Sequence, residues 1–408
     1  MPGQDELFTF DDKFHQQTHD VLFRSREESP VRRVQFPDGD QAWLVTRYED
    51  VKAVATDPRV SRDLDGLSAL GQPDAADAPG HGPEGEYRWL FRAVLYMDPP
   101  EHTRLRKLVN KAFTPRAIDP LRPRIERIAD DLLDQMTGPG VVDLMPSFAV
   151  PLPMIIISEL LGVPEADRPD FWAWSHVINS TAAAADAGYV DTLRAAAGYL
   201  DELADRKKAA PGTDLISHMV TASEDGDRLS RQELIAMALL MLLAGHDTTV
   251  NLITNGTLAF LRSPEQLALL RSDPALLPNA VEEILRYDCP VNVSAERFTL
   301  EPVELPSGVT IPAGEKLLIS VLSANRDARQ FDDPDTFDIT RDTTAHLGFG
   351  YGIHYCIGAP LARMEGRIAL GKIFERFPRL RLAVSPESLT YRDSTLMHGP
   401  TSLPVYLG

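Results

Sequence analysis

One stretch of this chain concentrates residues able to do chemistry: Phe349, Gly350, Tyr351, Gly352, Ile353, His354, Tyr355, Cys356, Ile357, Gly358 and Ala359. It is rich in glycine, poor in strand formers and has a single thiol near its end. A helix-like run follows, from Pro360 through Arg363, Glu365 and Arg367. Such a loop can bring backbone amides close to a sulfur, and a helix N-terminus just beyond it favours thiolate over thiol. A lone thiolate held in this way suits one axial bond to haem iron. Other chemistries fit poorly. A dinucleotide fingerprint needs Gly-x-Gly-x-x-Gly, and the third glycine would fall on Ile353 counting from Gly348, or on Tyr355 counting from Gly350. Zinc needs several ligands at short spacing, and the chain has only one other cysteine, Cys289. A c-type haem needs Cys-x-x-Cys-His, which is absent. An inert buried cysteine leaves the glycines, Phe349 and His354 without explanation.

A second group reads Ala244, Gly245, His246, Asp247, Thr248, Thr249 inside a long helical pattern. Thr248 follows Ala244 by four residues, so its hydroxyl can bond that carbonyl and loosen the helical ladder. Gly245 removes side-chain bulk from the same turn. Together they predict a groove for a small diatomic ligand, with Asp247 as an adjacent proton source. A third group is Glu283-Ile284-Leu285-Arg286, whose acid and base share one helix face. Taken alone, that spacing is most often a surface ion pair.

The pattern Phe-Gly-x-Gly-x-His-x-Cys-x-Gly at 349–358 closely resembles the haem-binding loop of the cytochrome P450 family. The resemblance runs from about Val31 to the C-terminus, with its motifs in the family order. It implies haem b (iron protoporphyrin IX) between a long central helix and the cysteine loop, with Cys356 as the iron ligand. Phe349, Gly350 and Gly358 shape that loop, and Ala244 and Gly245 face the cofactor. Thr248 and Asp247 are the implied proton-delivery pair. His102, Arg106, Arg297 and His354 match positions that contact the haem propionates; read singly, each is as readily a solvated charge. Glu283 and Arg286 become a buried structural pair. The arginine that normally completes their network is missing, because Thr336 occupies its place in Pro334-Asp335-Thr336-Phe337, and Arg341 is the candidate substitute.

The resemblance also implies O2 as oxidant and NAD(P)H-derived electrons delivered by a ferredoxin and its reductase. Arg104, Lys107, Lys111, Arg363 and Arg367 form a basic patch to steer that partner. The expected activity is monooxygenation, hydroxylation or epoxidation, of a large apolar substrate. The runs 244–251 and 356–363 look especially like actinobacterial enzymes that tailor macrolides and related polyketides. The alternatives are oxidative coupling or peroxide-driven oxidation of a peptide or aromatic natural product, and a haem sensor without turnover. Substrate-pocket candidates are Met241 and Ala244 on the central helix, then Val291, Asn292 and Val293. Leu396 and Met397 extend the set, with segments 64–93 and 177–185 as further walls.

The 408 residues are 43% hydrophobic, enough to bury a core and a bulky cofactor. A formal net charge of -19 argues against nucleic acid as a partner. Two cysteines and no signal-like N-terminus predict a reducing, cytoplasmic setting. The longest apolar run, 234–245, falls short of the ~20 residues that span a bilayer. No membrane association is expected, and a monomer is the family default.

The pattern predicts one mainly α domain over 1–408 with small β-sheets, preceded by a loosely held segment at 1–20. A hairpin is predicted from strands at 31–36 and 42–46. Capping boxes are predicted at Thr46 and Ser230, each with glutamate three residues later. Residues 64–87 read as a long surface loop, and 171–199 as flexible small-residue helices. Helices are predicted at 120–136, 153–161, 231–261, 264–271 and 278–287. Short strands are predicted near Val303 and at 317–321.

Overall fold

The computed structural model describes residues 8–36, 39–63, 87–138, 140–178, 187–221, 223–224 and 227–408. The hairpin forms as Val31–Gln35 against Gln41–Val45, in a register pairing Val31 with Val45. Val34, Ala42 and Leu44 are fully buried. The second strand also pairs in parallel with Lys316–Ile319. A six-stranded sheet results, ordered Phe8–Thr9, Val31–Gln35, Gln41–Val45, Lys316–Ile319, Arg297–Thr299 and Val60–Ser61. Val303–Glu304 pairs with Thr310–Ile311 in a separate ribbon. The predicted 317–321 strand ends early because the Ser320 hydroxyl accepts the Ser323 amide and starts a short helix, Val321–Ala324.

The N-terminal segment is not loose over its described part. Residues 8–9 pair with the sheet, and helices Asp12–Gln16 and Thr18–Glu28 pack Phe14 and Leu22 into its core.

The two capping boxes fare differently. At Ser230 the reciprocal box forms with Glu233. At Thr46 it does not: the hydroxyl donates to Pro30 O instead. The buried Asp327 carboxylate, from far along the chain, accepts the Tyr48 amide and caps the helix Tyr48–Thr56. A tertiary carboxylate has outcompeted the local cap.

The remainder is a helical body. Arg122–Gln135 buries Ile125, Ile128, Ala129 and Leu133 along one stripe. Pro151–Leu161 is apolar nearly all round and stops at Gly162, in the left-handed region at φ 78°. The small-residue stretch holds Arg168–Ile178 and a regular helix, Ala187–Ala209, whose alanines 196, 197 and 204 are buried contacts. The alanine run 182–185 and most of the predicted loop, 64–86, lie outside the described residues. The predicted helices near 264 and 278 appear as Pro264–Ser272 and Leu277–Tyr287.

The central helix is two helices, Arg231–Gly245 and Asp247–Arg262, joined at His246. The run Arg231–Arg262 is long and apolar enough by composition to cross a bilayer, yet it packs into the helical core. Ala359–Arg376 starts directly after the cysteine loop and packs on the second central helix.

Candidate cofactor and active site

The cysteine loop is built from its own backbone. The Cys356 amide donates to Phe349 O at 2.8 Å, and the Gly350 amide to Leu347 O at 2.7 Å. Gly350 sits at φ 77°, where a side chain would be strained. Leu347 is fixed in turn by Asn325 Oδ1, 2.7 Å from its amide. Phe349 is buried, with the Arg363 guanidinium 4.4 Å above its ring.

Cys356 is in contact with solvent-sized space, although protein surrounds it closely enough for burial to push the thiol up. The amides of Gly358 and Ala359 and the cations Arg106 and Arg363 pull the other way. The predicted bias toward thiolate is thus present but outweighed by desolvation. A cation bonded to sulfur would reverse that balance.

Beside the loop, cationic groups meet in the interior. His102 and His354 lie with ring centroids 4.6 Å apart. Both ring nitrogens of His102 are buried without a hydrogen-bond partner. Arg297 is buried and donates only to neutral oxygens, the Ser294 hydroxyl and Ala295 O. Arg106 reaches Tyr355 O at 2.5 Å and Asn110 Oδ1 at 3.2 Å. Arg62 joins them, and sequence reasoning missed it: nothing in Val60-Ser61-Arg62 marks it.

Burial, reinforced by Arg62, His102, Arg297 and Arg106, pushes His354 down to about 2. Burial also pushes Arg62 down to about 10 and Arg297 well below its ordinary value. The carboxylate acting on the group is Asp98, already engaged by the Ser61 hydroxyl and the Arg62 amide. Cations short of counter-charge among the described residues, with an orphaned histidine beside them, fit a ligand carrying two carboxylates. Haem b, which the family implies, would fit both groups if its propionates lay among these cations and its iron met Cys356.

The central helix breaks at the predicted place. Thr248 Oγ1 donates to Ala244 O at 3.0 Å. The His246 ring contacts Leu242 O at 2.9 Å and Ser175 Oγ at 3.1 Å. Gly245 does not open the groove as predicted. A Cβ there would meet Ile157 Cδ1 at 2.8 Å, so its small size lets the helix Pro151–Leu161 approach. Asp247 is held by Arg392, Nη1 to Oδ1 at 3.2 Å, and lies 3.5 Å from His246 Nε2. Arg392 was also missed, since its contact with Asp247 joins segments far apart in sequence.

Glu283 and Arg286 are fully buried and paired at 2.7 and 2.8 Å. Arg286 also donates to Asn325 O, Pro334 O and Thr336 O. At Thr336 the missing arginine is thus answered by a backbone carbonyl. Arg341 Nε stands 3.5 Å from Glu283 Oε1, an ion-pair contact without hydrogen-bond geometry.

The pocket candidates come from converging strands. Val291 bridges Met397, Val293 bridges Ser320, and the Asn292 amide donates to Leu396 O at 2.9 Å. Leu396 is exposed, whereas Met241 is buried one turn before Ala244.

Comparison with known proteins bears on this site. Residues 270–400 match the family model described as Cytochrome P450. The chain is 50% identical over 409 residues to Cytochrome P450 107B1 of Saccharopolyspora erythraea, covering 99% of this chain and 98% of that protein. It is 46% identical over 407 residues to Vitamin D(3) 25-hydroxylase of Pseudonocardia autotrophica, covering 100% and 98%. Among solved structures it resembles the cytochrome P450 PksS of the Bacillus subtilis bacillaene polyketide synthase. The TM-score is 0.90 at 39% identity, covering 98% of this chain and 99% of that one. With a thiol-bearing glycine loop, a cationic cluster and a broken central helix in one such fold, this chain belongs to the cytochrome P450 family.

Proposed function

We propose that this protein is a haem-thiolate monooxygenase acting on a large, apolar secondary metabolite of macrolide or polyketide type. The observation that carries the reading is the buried cationic group around His102 and Arg297 beside the Cys356 thiol. Cys356 Sγ would ligate the iron, and His102, Arg106, Arg297 and His354, joined by Arg62, would hold the propionates. Bound there, the haem supplies the activation of O2 that inserts one oxygen atom into a C–H or C=C bond. The protein orients substrate and manages protons. Thr248 donates to the Ala244 carbonyl, a bond that competes with the helical ladder at that turn. Asp247, tethered by Arg392, holds acid at the same turn.

Substrate class rests on the relatives. One is named for hydroxylating vitamin D3 and another belongs to a polyketide pathway, both large apolar scaffolds. The apolar candidates Met241, Val291, Val293, Leu396 and Met397 suit such a scaffold, with Asn292 beside them as a polar group. Electrons from NAD(P)H would arrive through a ferredoxin and its reductase, in a cytoplasmic monomer. Of the basic patch expected to steer an acidic partner, Arg104 is paired with Glu101 and Glu233 and Arg363 with Glu282, which leaves, among the described side chains, exposed Lys107 and half-buried Arg367 as the charges that favour it.

Two measurements test this. The ferrous carbon monoxide complex should show thiolate-type absorption that Cys356→Ala abolishes; an unchanged spectrum in the variant removes Cys356 as ligand. Ferric protein titrated with macrolides, linear polyketides and vitamin D3 should shift from low to high spin with one scaffold. No shift across the panel would overturn the substrate class while leaving the ligand assignment standing.

A further inference from the structure

Away from the cysteine loop, three metal-ligating side chains converge from distant segments. His19 lies on the helix Thr18–Glu28, Asp288 ends the helix Leu277–Tyr287, and His398 follows Met397 near the C-terminus. His19 Nε2 is 2.9 Å and His398 Nε2 3.0 Å from the same oxygen, Asp288 Oδ1. All three donor atoms lie within 4.8 Å of one another.

A metal-free triad would have Asp288 accept an N–H from each imidazole. His19 meets hydrogen-bond geometry, whereas His398 Nε2 comes within hydrogen-bond distance of Asp288 and helps hold its carboxyl down, but in poor alignment. His398 is 5% exposed, and its Nε2 is buried with no hydrogen-bond partner despite the short separation. An orphaned imidazole nitrogen of this kind is costly, and a cation bound to its lone pair would satisfy it.

The ligands are held in place before any ion arrives. Asn255 Nδ2 donates to both Asp288 O and His398 O at 3.0 Å. The His398 amide donates to Pro290 O, and the Tyr391 ring stacks on His398 at 5.1 Å. Gln16 exchanges two hydrogen bonds with the Tyr391 backbone, tying the N-terminal helices to this segment. Arg326, the cation that faces His19, is paired with Asp335 at 3.1 Å.

We infer that His19 Nε2, Asp288 and His398 Nε2 bind one Zn2+ ion, which latches the N-terminal helix to the C-terminal segment. Two imidazoles and a carboxylate are ligands that Zn2+ accepts, and tetrahedral geometry places donor atoms about 3.3 Å apart. The two close contacts need to open by only a few tenths of an ångström, and the two imidazole nitrogens, within 4.8 Å of each other, need to settle at the same spacing. The fourth position is left for water on the side of His19, whose side chain is 32% exposed.

The test uses the holoenzyme, treated with chelator, equilibrated with zinc chloride and desalted. Zinc is counted by mass spectrometry against haem iron, and the melting temperature is measured with and without zinc. The site predicts one zinc per chain and a zinc-dependent rise in melting temperature, both lost in His19→Ala and in Asp288→Asn. Zinc retained equally by His19→Ala, or no stoichiometric zinc in the unmodified protein, overturns it. His19→Ala alters a partly exposed side chain, so the test stands even if Asp288→Asn fails to fold. The zinc count does not depend on the cysteine–haem assignment, so each reading can fail separately.

Discussion

Two acid–arginine pairs in this protein contrast in sequence and in the fold: one is local to a single helix, the other joins residues 145 apart. Glu283–Arg286 is sealed from solvent, bidentate, and backed by three carbonyls and the Asp338 amide. Asp247–Arg392 joins the central helix to the C-terminal segment through a longer contact of 3.2 Å, with both side chains partly solvated at 14% and 27% exposure. A buried pair is costly to assemble and ruinous to halve, because removing one partner strands a charge. A partly solvated pair costs less to open, because water reaches the charge left behind. The first suits a structural pin, and the second suits an acid that must take up and release protons.

The largest expected effect breaks the first pair. Arg286→Ala leaves Glu283 buried and uncompensated, at a cost of about 3–5 kcal/mol. Loss of soluble, haem-loaded protein on expression is the measurement, and a normal yield of holoenzyme would demote the pair to ornament.

A third carboxyl sharpens the contrast. Glu365 is buried with Oε2 unpartnered, and burial raises its pKa to about 8. The unfolded carboxyl ionises near 4.5, whereas the folded one resists until about 8. Stability therefore falls as pH rises through that window and levels off above it. Glu365→Gln should flatten this dependence and gain on the order of 3–5 kcal/mol relative to the parent at pH 8.5. Parallel melting curves for the two proteins from pH 5 to 8.5 would contradict it.

Breaking the second pair should leave the fold intact. Arg392→Ala should change stability by no more than about 1 kcal/mol. It should alter the pH profile and the coupling of NADPH to product, because Asp247 loses its tether. An unaltered profile would detach Arg392 from proton handling. Of similar size is the effect of Arg341→Ala, which removes an ion-pair contact to Glu283 at 3.5 Å that lacks hydrogen-bond geometry, together with hydrogen bonds to the carbonyls of Asp332, Asp333 and Thr336. A destabilisation of about 1 kcal/mol is expected; a loss as large as that of Arg286→Ala would make Arg341 a full third member of the network.

Local chemistry alone determined a good deal here. Glycine spacing around Cys356, the Thr248-to-Ala244 interval, the hairpin, the Ser230 cap and the apolar periods of the helices all depend on residues within one turn or one strand, so the chain displays them directly. Tertiary structure decided what depends on charges and side chains brought together from afar. Asp327 displaced Glu49 and Thr46 as the cap of Tyr48–Thr56. Ile157 turned Gly245 into a packing contact. Burial set the Cys356 thiol and Glu365 above their ordinary values, and Arg62 and Arg392 joined groups that no spacing rule connects to them. Sequence periodicity encodes which face of an element is apolar, but desolvation and long-range pairing are properties of the assembled interior.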